Sequence, residues 1–324
     1  SNFDAALIAL NNYAERLAHS ALRHIPDGEY QFDDVMDDDG MGTFDIIIKV
    51  KLIIKQGKVQ LDFRGTSKQV KGNINCPLSV AAAGVYYVFR CLMPHNTPAC
   101  SGSFRSITLT APQGSLLNAC YPAAVAAGNV ETSTRVVDVI MGALAQAIPD
   151  KIPAASHGSM NNLAMGSRGN TNSQDNNSQS VWDYYETIGG GMGAGPELDG
   201  LSGVQTHMTN TRNTPIEVLE SHYPLRIRRY ALRPESGGQG LNRGGDGLIR
   251  EYEFLATTNV TLLTERRSHQ PWGIEGGKNA KTGENRLNNK LISAKINIEV
   301  KKGDQLTIKT PGGGGYGVAA IINQ

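Results

Sequence analysis

The sequence has no excess of charge of either sign: 31 Lys and Arg stand against 30 Asp and Glu in 324 residues. No field exists to gather a polyanion, which excludes nucleic acid and an acidic membrane surface as main partners. The four cysteines, Cys76, Cys91, Cys100 and Cys120, show no CxxC or CxxxxC spacing, so no zinc ribbon is written here. No apolar run approaches the roughly 18 residues needed to span a bilayer. With no signal peptide leading the chain, the cytoplasm is the expected location. An initiator Met is missing too, and Ser1 and Asn2 point to a chosen boundary with a region expected upstream.

Common catalytic signatures are equally absent. Gly189 to Ala194 fits GxGxxA in form, but no βαβ unit surrounds it. Gly276, Gly277 and Lys278 are followed by Asn279, without the Ser or Thr hydroxyl that a Walker loop gives to Mg. There is no GxSxG elbow and no HExxH helix.

What is present suits a chain of roughly two domains. An i, i+3, i+4, i+7 stripe from Phe3 to Leu17 predicts an amphipathic helix. Its apolar face implies a partner within the chain or a homodimer contact. Phe44 to Ile54 and Val59 to Phe63 alternate around Gln56-Gly57 and predict a β-hairpin. Helices are expected over Leu78 to Met93, and from Val130 to about Ile148 with Gly128 or Asn129 as cap. Ser167 to Ser180 reads as a polar surface loop or flap. Beyond that, Leu225 to Leu232, Leu248 to Phe254, Val260 to Leu263, Leu291 to Val300 and Leu306 to Ile308 read as strands between Gly-rich turns. The expected fold class is α+β: a mixed, helix-containing part over 1–222, then a β-rich sandwich or barrel-like domain over 223–324. The 37 glycines gather late, in Gly189 to Gly195, Gly237 to Gly247 and Gly312 to Gly317, where the backbone needs positive φ or close approach of another surface.

Candidate chemistry concentrates in polar, turn-dense segments. His157 stands among Ser156, Ser159, Asn161 and Asn162, a cluster able to orient a polar ring, although such residues also satisfy their own backbone. His207 precedes Asn210, Arg212 and Asn213, and Thr214 is expected to cap a short helix starting at Pro215, a plausible anion or carbonyl site. Glu186, carried by Tyr184-Tyr185-Glu186-Thr187 into the glycine run, is a candidate general base or a plain ladder residue. Glu217, Glu220 and His222 do not share one helix face, which favours a structural role over metal ligation. Arg64, Asn73 and Asn75 can meet at one rim, and tight-turn geometry accounts for them equally well.

Read in order, Asp62 to Ser67 with Gly72 to Pro77, Gly128 to Ser133, Ala154 to Leu163, Tyr184 to Gly193, His207 to Glu220, Ser236 to Gly247 and Pro311 to Gly317 resemble the hydantoinase B family across nearly the whole chain. The resemblance implies a subunit that works with a hydantoinase A partner of the actin-like ATPase class to open N-methylhydantoin or 5-oxoproline rings, within a homo- or hetero-oligomer. ATP and Mg then belong to the partner, which phosphorylates the amide oxygen before water attacks. Family members also carry an upstream metal-binding set around Gly-Gly-Thr-His, and that motif is absent here, so a divalent metal is expected only in an upstream region and no metal ligand is assigned in this chain. On this reading His157, Glu186 and His207 are the catalytic candidates, and Asn161, Asn210 and Arg212 the substrate-binding ones. Two alternatives stand beside it: an assembly module whose chemistry lies upstream, and a subunit of an ATP-dependent ketone carboxylase.

Overall fold

The computed structural model describes residues 2–168 and 181–319, so most of the polar segment expected as a surface loop lies outside the described residues. The chain divides into two compact units, Ser1–Ile152 and Pro153–Gln324. The division falls upstream of the 222/223 boundary that composition suggests, because strands on both sides of residue 222 pack around one core. Among the described residues no helix is long and apolar enough to cross a membrane.

The first unit holds α1 (Asn2–Leu22), β1 (Gly28–Asp38), β2 (Phe44–Lys55), β3 (Lys58–Asp62), α2 (Leu78–Cys91), β4 (Ile107–Thr110) and α3 (Ser133–Ala145). Its sheet runs β1-β2-β3-β4, antiparallel except for the parallel β3–β4 pair. The β2–β3 hairpin follows the alternation: Ile46, Ile48, Val50, Leu52 and Ile54 are buried on one face, against α3. The apolar pattern does not predict β1, whose positions carry Asp33 and other acids that break the count. α3 is buried nearly end to end and encloses Arg135, which lies 3.5 Å from Asp34 and 3.8 Å from Asp138. Neither Gly128 nor Asn129 caps this helix; a π-helical turn, Gly128–Thr132, leads into it, and the Thr132 hydroxyl is bonded to the Ile74 carbonyl.

The second unit holds β5 (Asn162–Ser167), β6 (Trp182–Glu186), α4 (Ile216–His222), β7 (Leu225–Arg233), β8 (Gly247–Phe254), β9 (Thr258–Leu263), β10 (Glu284–Leu287), β11 (Lys290–Ile292), β12 (Lys295–Val300) and β13 (Gln305–Lys309). Two antiparallel sheets, β12-β9-β5-β6 and β11-β10-β13-β8-β7, share one core in which Leu163, Met165, Val260 and Leu262 meet Tyr252, Phe254, Leu306 and Ile308. This is a sandwich, not a barrel. The stretch Leu291 to Val300, expected as one strand, is two: it breaks at Ser293-Ala294, and the halves join opposite sheets.

The glycine runs form a second kind of core in the same unit. Gly313 N–H donates to Gly245, Gly245 to Met192, Met192 to Leu201 and Gly314 to Ala155, so each segment bonds to several neighbours. Close approach, more than positive φ, is what these glycines supply. A Cβ at Gly244 would lie 1.8 Å from the Gly313 carbonyl oxygen, and one at Gly193 would lie 1.9 Å from that of Ala154.

Candidate functional site

Residues 153–161 run beside the glycine segment 188–194. Ala154 N–H donates to Ala194 O at 2.9 Å, His157 N–H to Gly191 O at 2.9 Å, and Ile188 N–H to Met160 O at 3.0 Å. This seats the His157 side chain against the bare face of Gly190, where a Cβ would stand 2.5 Å from His157 Cβ. The ring is 1% exposed, and neither nitrogen has a hydrogen-bond partner. Burial, reinforced by the nearby His207 and Arg267, pushes the imidazole down to about 3. The Ser159 main-chain carbonyl pulls the other way without reaching bonding geometry at either nitrogen. His157 is therefore a neutral, buried imidazole with hydrogen-bonding capacity unspent, which is an unusual state in a protein interior.

His207 is brought to it by the segment that crosses the glycine run, where Gly190 and Val204 exchange backbone hydrogen bonds of 3.0 and 2.9 Å. Its backbone is held left-handed, φ 55°, beside a turn that Thr209 closes by accepting from Thr206 N–H and donating to Thr206 O. Asn161 is also left-handed, φ 47°, and already engaged: its amide donates to Ser159 O and Ile188 O, while its carbonyl accepts at 2.6 Å from Arg267. It holds the turn that carries His157.

Arg267 is the member that the sequence did not reveal. Its guanidinium donates to Asn161 Oδ1, to Glu265 O at 2.7 Å and to Asn285 Oδ1 at 3.0 Å. Beneath it, the Ser159 hydroxyl oxygen accepts from both Asn161 N–H and Glu265 N–H at 3.0 Å, and Glu265 pairs with Lys295 at 2.5 Å, both nearly fully buried. Arg266-Arg267 shortly after the end of β9 at Leu263 is a visible signal for it; the contact with Asn161 spans 106 residues and is not.

Glu186 sits elsewhere. It crosses the sandwich to Arg250, 3.2 Å to Nε and 3.1 Å to an Nη, and also accepts from Tyr184 at 2.9 Å, Asn213 at 3.0 Å and the Tyr252 hydroxyl. Arg250 is wholly buried. The carboxylate thus neutralises an interior cation, and it connects to the histidine pair through the main chain of Thr187 and Ile188 and through Asn213 on the segment that carries His207. Asn210 and Arg212 are exposed; the bonds to Thr187 and Glu186 are made by the intervening Thr211, itself exposed, and by Asn213.

Thr214 does not cap α4. Pro215 occupies that position with no side-chain bond, and the Thr214 hydroxyl meets Tyr184 instead. Glu220 accepts from Ile227 N–H at 2.7 Å and the His222 ring contacts Val218 O, so both are spent on local structure. Asn75 likewise closes its own turn, bonding to Val70, Gly72 and Ala124, and Arg64 pairs with Asp62 at the surface.

The glycine N–H groups and faces that could cradle phosphate are filled by other backbone, with Gly315 O only 2.1 Å from where a Gly277 Cβ would stand. Among the described residues no group of three or more His, Cys, Asp or Glu side chains is placed to hold an ion.

Comparison with known proteins gives a consistent result. A family model described as hydantoinase B/oxoprolinase matches residues 1–319. The chain is 42% identical over 290 residues to 5-oxoprolinase 1 of Arabidopsis thaliana, covering 88% of this chain and 21% of that protein. It is 34% identical over 331 residues to a putative D-/L-hydantoinase subunit from Pseudomonas sp. strain NS671, covering 97% of this chain and 54% of the other. The crystal structure of an ATP-dependent caprolactamase from Pseudomonas jessenii superposes with a TM-score of 0.84 at 25% identity, over 98% of this chain and 57% of that one. The chain therefore spans from about a fifth to little more than half the length of these proteins.

Proposed function

From the premise that this chain belongs to the hydantoinase B/oxoprolinase family, we propose that it is part of an ATP-dependent hydrolase that opens cyclic amides, with 5-oxoproline or a hydantoin as substrate. The observation that carries this reading is the likeness to a caprolactamase across nearly the whole chain, joined to relatives whose names specify ring-opening of the same bond class. A hydantoinase A partner holds ATP and Mg, in keeping with glycine runs that are consumed by backbone packing here. Any divalent metal belongs to a further region of the assembly.

Within this chain the reaction would use the His157 and His207 pair. A neutral imidazole that binds no proton until about pH 3 in the closed interior is a hydrogen-bonding group for an amide or a water, and a base only where opening of the site admits water to it. Asn161 and Arg267 act as positioning residues for that ring, and Glu186 positions the strand end that leads to it.

A second reading, an assembly module without its own catalytic residues, is favoured by the full engagement of Glu186 and Asn161. Co-expression with candidate A subunits, followed by ATP-turnover assays with 5-oxoproline, hydantoin, caprolactam, and acetone plus bicarbonate, separates the possibilities. Turnover with a cyclic amide that falls at least about a hundredfold in a His157→Ala complex of normal assembly supports the catalytic reading. Unchanged turnover in that variant leaves the assembly role, turnover only with acetone and bicarbonate leaves the carboxylase, and ring opening by this chain alone overturns the whole scheme.

A further inference from the structure

A hollow of about 610 Å³ lies on the outward face of the sheet β12-β9-β5-β6, with neither His157 nor His207 in its lining. The strand register defines its layout. Tyr185, Ala164, Thr261 and Asn297 stand in one row across the four strands, and Asp183, Gly166, Asn259 and Glu299 in the next, Glu299 lying outside the lining. The middle strand offers only Ala164 and Gly166 to this face, so the floor is bare and the flanking side chains make walls. A Cβ on Gly166 would come within 2.7 Å of Asp183 Oδ1, which shows the carboxylate leaning over that floor. The Tyr185 hydroxyl bonds to Asn162 Oδ1 and fixes the ring as one wall. Arg168 lies two residues beyond Gly166 on the same lining, diagonal to Asp183.

Among the described residues the side chains of Arg168, Asp183, Asn259, Thr261 and Asn297 are not drawn into ion pairs or hydrogen bonds with protein. The lining's one cation and one anion stand on the β5–β6 side, and its hydroxyl and amide groups on the β9–β12 side. The volume is that of a small-molecule site. A ligand with a carboxylate and an ammonium on one carbon would satisfy Arg168 and Asp183 together, and lay a short polar chain over Ala164 towards Thr261 and Asn297.

We propose that this hollow binds a free α-amino acid with a polar side chain. Its identification with a reaction product rests on the ring-opening reading above. Hydrolysis of 5-oxoproline breaks the ring C–N bond, places the water oxygen on the carbonyl carbon as a new carboxylate, and leaves the nitrogen as an ammonium next to the existing carboxylate. The product has both charges that the hollow matches, whereas the lactam nitrogen carries none.

Calorimetric titration of this chain with L-glutamate, L-glutamine and 5-oxoproline tests the assignment. Saturable glutamate binding is expected, about tenfold or more tighter than 5-oxoproline, and weakened about tenfold by Arg168→Gln or Asp183→Asn. Asn297→Asp should weaken glutamate more than glutamine. All three positions are exposed, and circular dichroism confirms that each variant keeps its fold. No saturable binding of either amino acid, equal binding of glutamate and 5-oxoproline, or indifference to both charge-removing variants overturns the proposal. Because no ATP or partner enters the titration, its failure leaves turnover by the complex untouched, and a failure of turnover leaves the titration standing.

Discussion

In the second unit two kinds of core are built from one chain. The sandwich is held by side chains: Leu163, Val260, Phe254 and Leu306 fill the space between sheets, and Glu186 with Arg250 locks the sheets across it. The glycine bundle has almost no side chains to bury, and its segments approach until backbone N–H and C=O groups meet directly. The first kind tolerates volume changes by repacking, because side chains have rotamers to give. The second has only backbone at its contacts, which cannot yield without breaking hydrogen bonds. Sensitivity to a single added methyl group should therefore differ sharply between the two regions.

The largest effect is expected at Gly244. Ala there puts Cβ 1.8 Å from the Gly313 carbonyl oxygen, so two segments must part, and the loss should reach about 5 kcal/mol, or abolish folding of the second unit, in urea denaturation of the full chain. Stability within about 1 kcal/mol of the parent protein would show that the bundle is as pliable as the sandwich. Next comes Glu186→Gln, which leaves the wholly buried Arg250 without its counter-charge and should cost about 3 kcal/mol by the same measurement. A loss below about 1 kcal/mol would mean that Tyr252 and solvent suffice for that guanidinium.

How much of this was legible depended on which forces acted locally. The β2–β3 hairpin was readable because its alternation and its Gln56-Gly57 turn are both sequence-adjacent features. The glycine runs were visible, but their meaning was half hidden. Composition cannot separate positive φ from close approach, and the answer lay in segments such as Leu201 and Gly313 that are far apart in sequence. His157 and His207 were picked out by local polarity, which does correlate with an interior polar cluster. That same polarity singled out Asn210 and Arg212, which are exposed, while the bonds to Thr187 and Glu186 are made by their neighbours Thr211 and Asn213. Glu186 drew attention as a carboxylate beside a loop. Its partner Arg250 is 64 residues away on the opposite sheet, so the ion pair could not be read from either segment.

His157 lies where the two cores meet, between the turn tied by Asn161 and the flat face of Gly190, and it gives the comparison a pH dependence. Its folded value of about 3 is below the ordinary 6.5, so the unfolded chain binds a proton that the folded chain refuses. The contribution is fully present above about pH 6.5 and is lost as pH falls towards 3, a decrease of about 2 kcal/mol between about pH 8 and pH 5. The His157→Gln protein should lose that part of the slope. If parent and variant show the same stability profile over this range, the ring is not held neutral by the seam.

The smallest effect is expected at Gly195, at the end of the same run that supplies Gly191 and Gly193 to the bundle. A Cβ there meets nothing within 4 Å, so Gly195→Ala should change stability by no more than about 0.5 kcal/mol in either direction. The pair of substitutions, at 244 and at 195, adds the same methyl group to two glycines of the same unit and differs only in what that group would touch. If both are costly, the runs need glycine for backbone freedom everywhere. If only Gly244→Ala is costly, the bundle needs glycine where another segment's carbonyl already occupies the place of a side chain, and composition alone overstates how many of its glycines are indispensable.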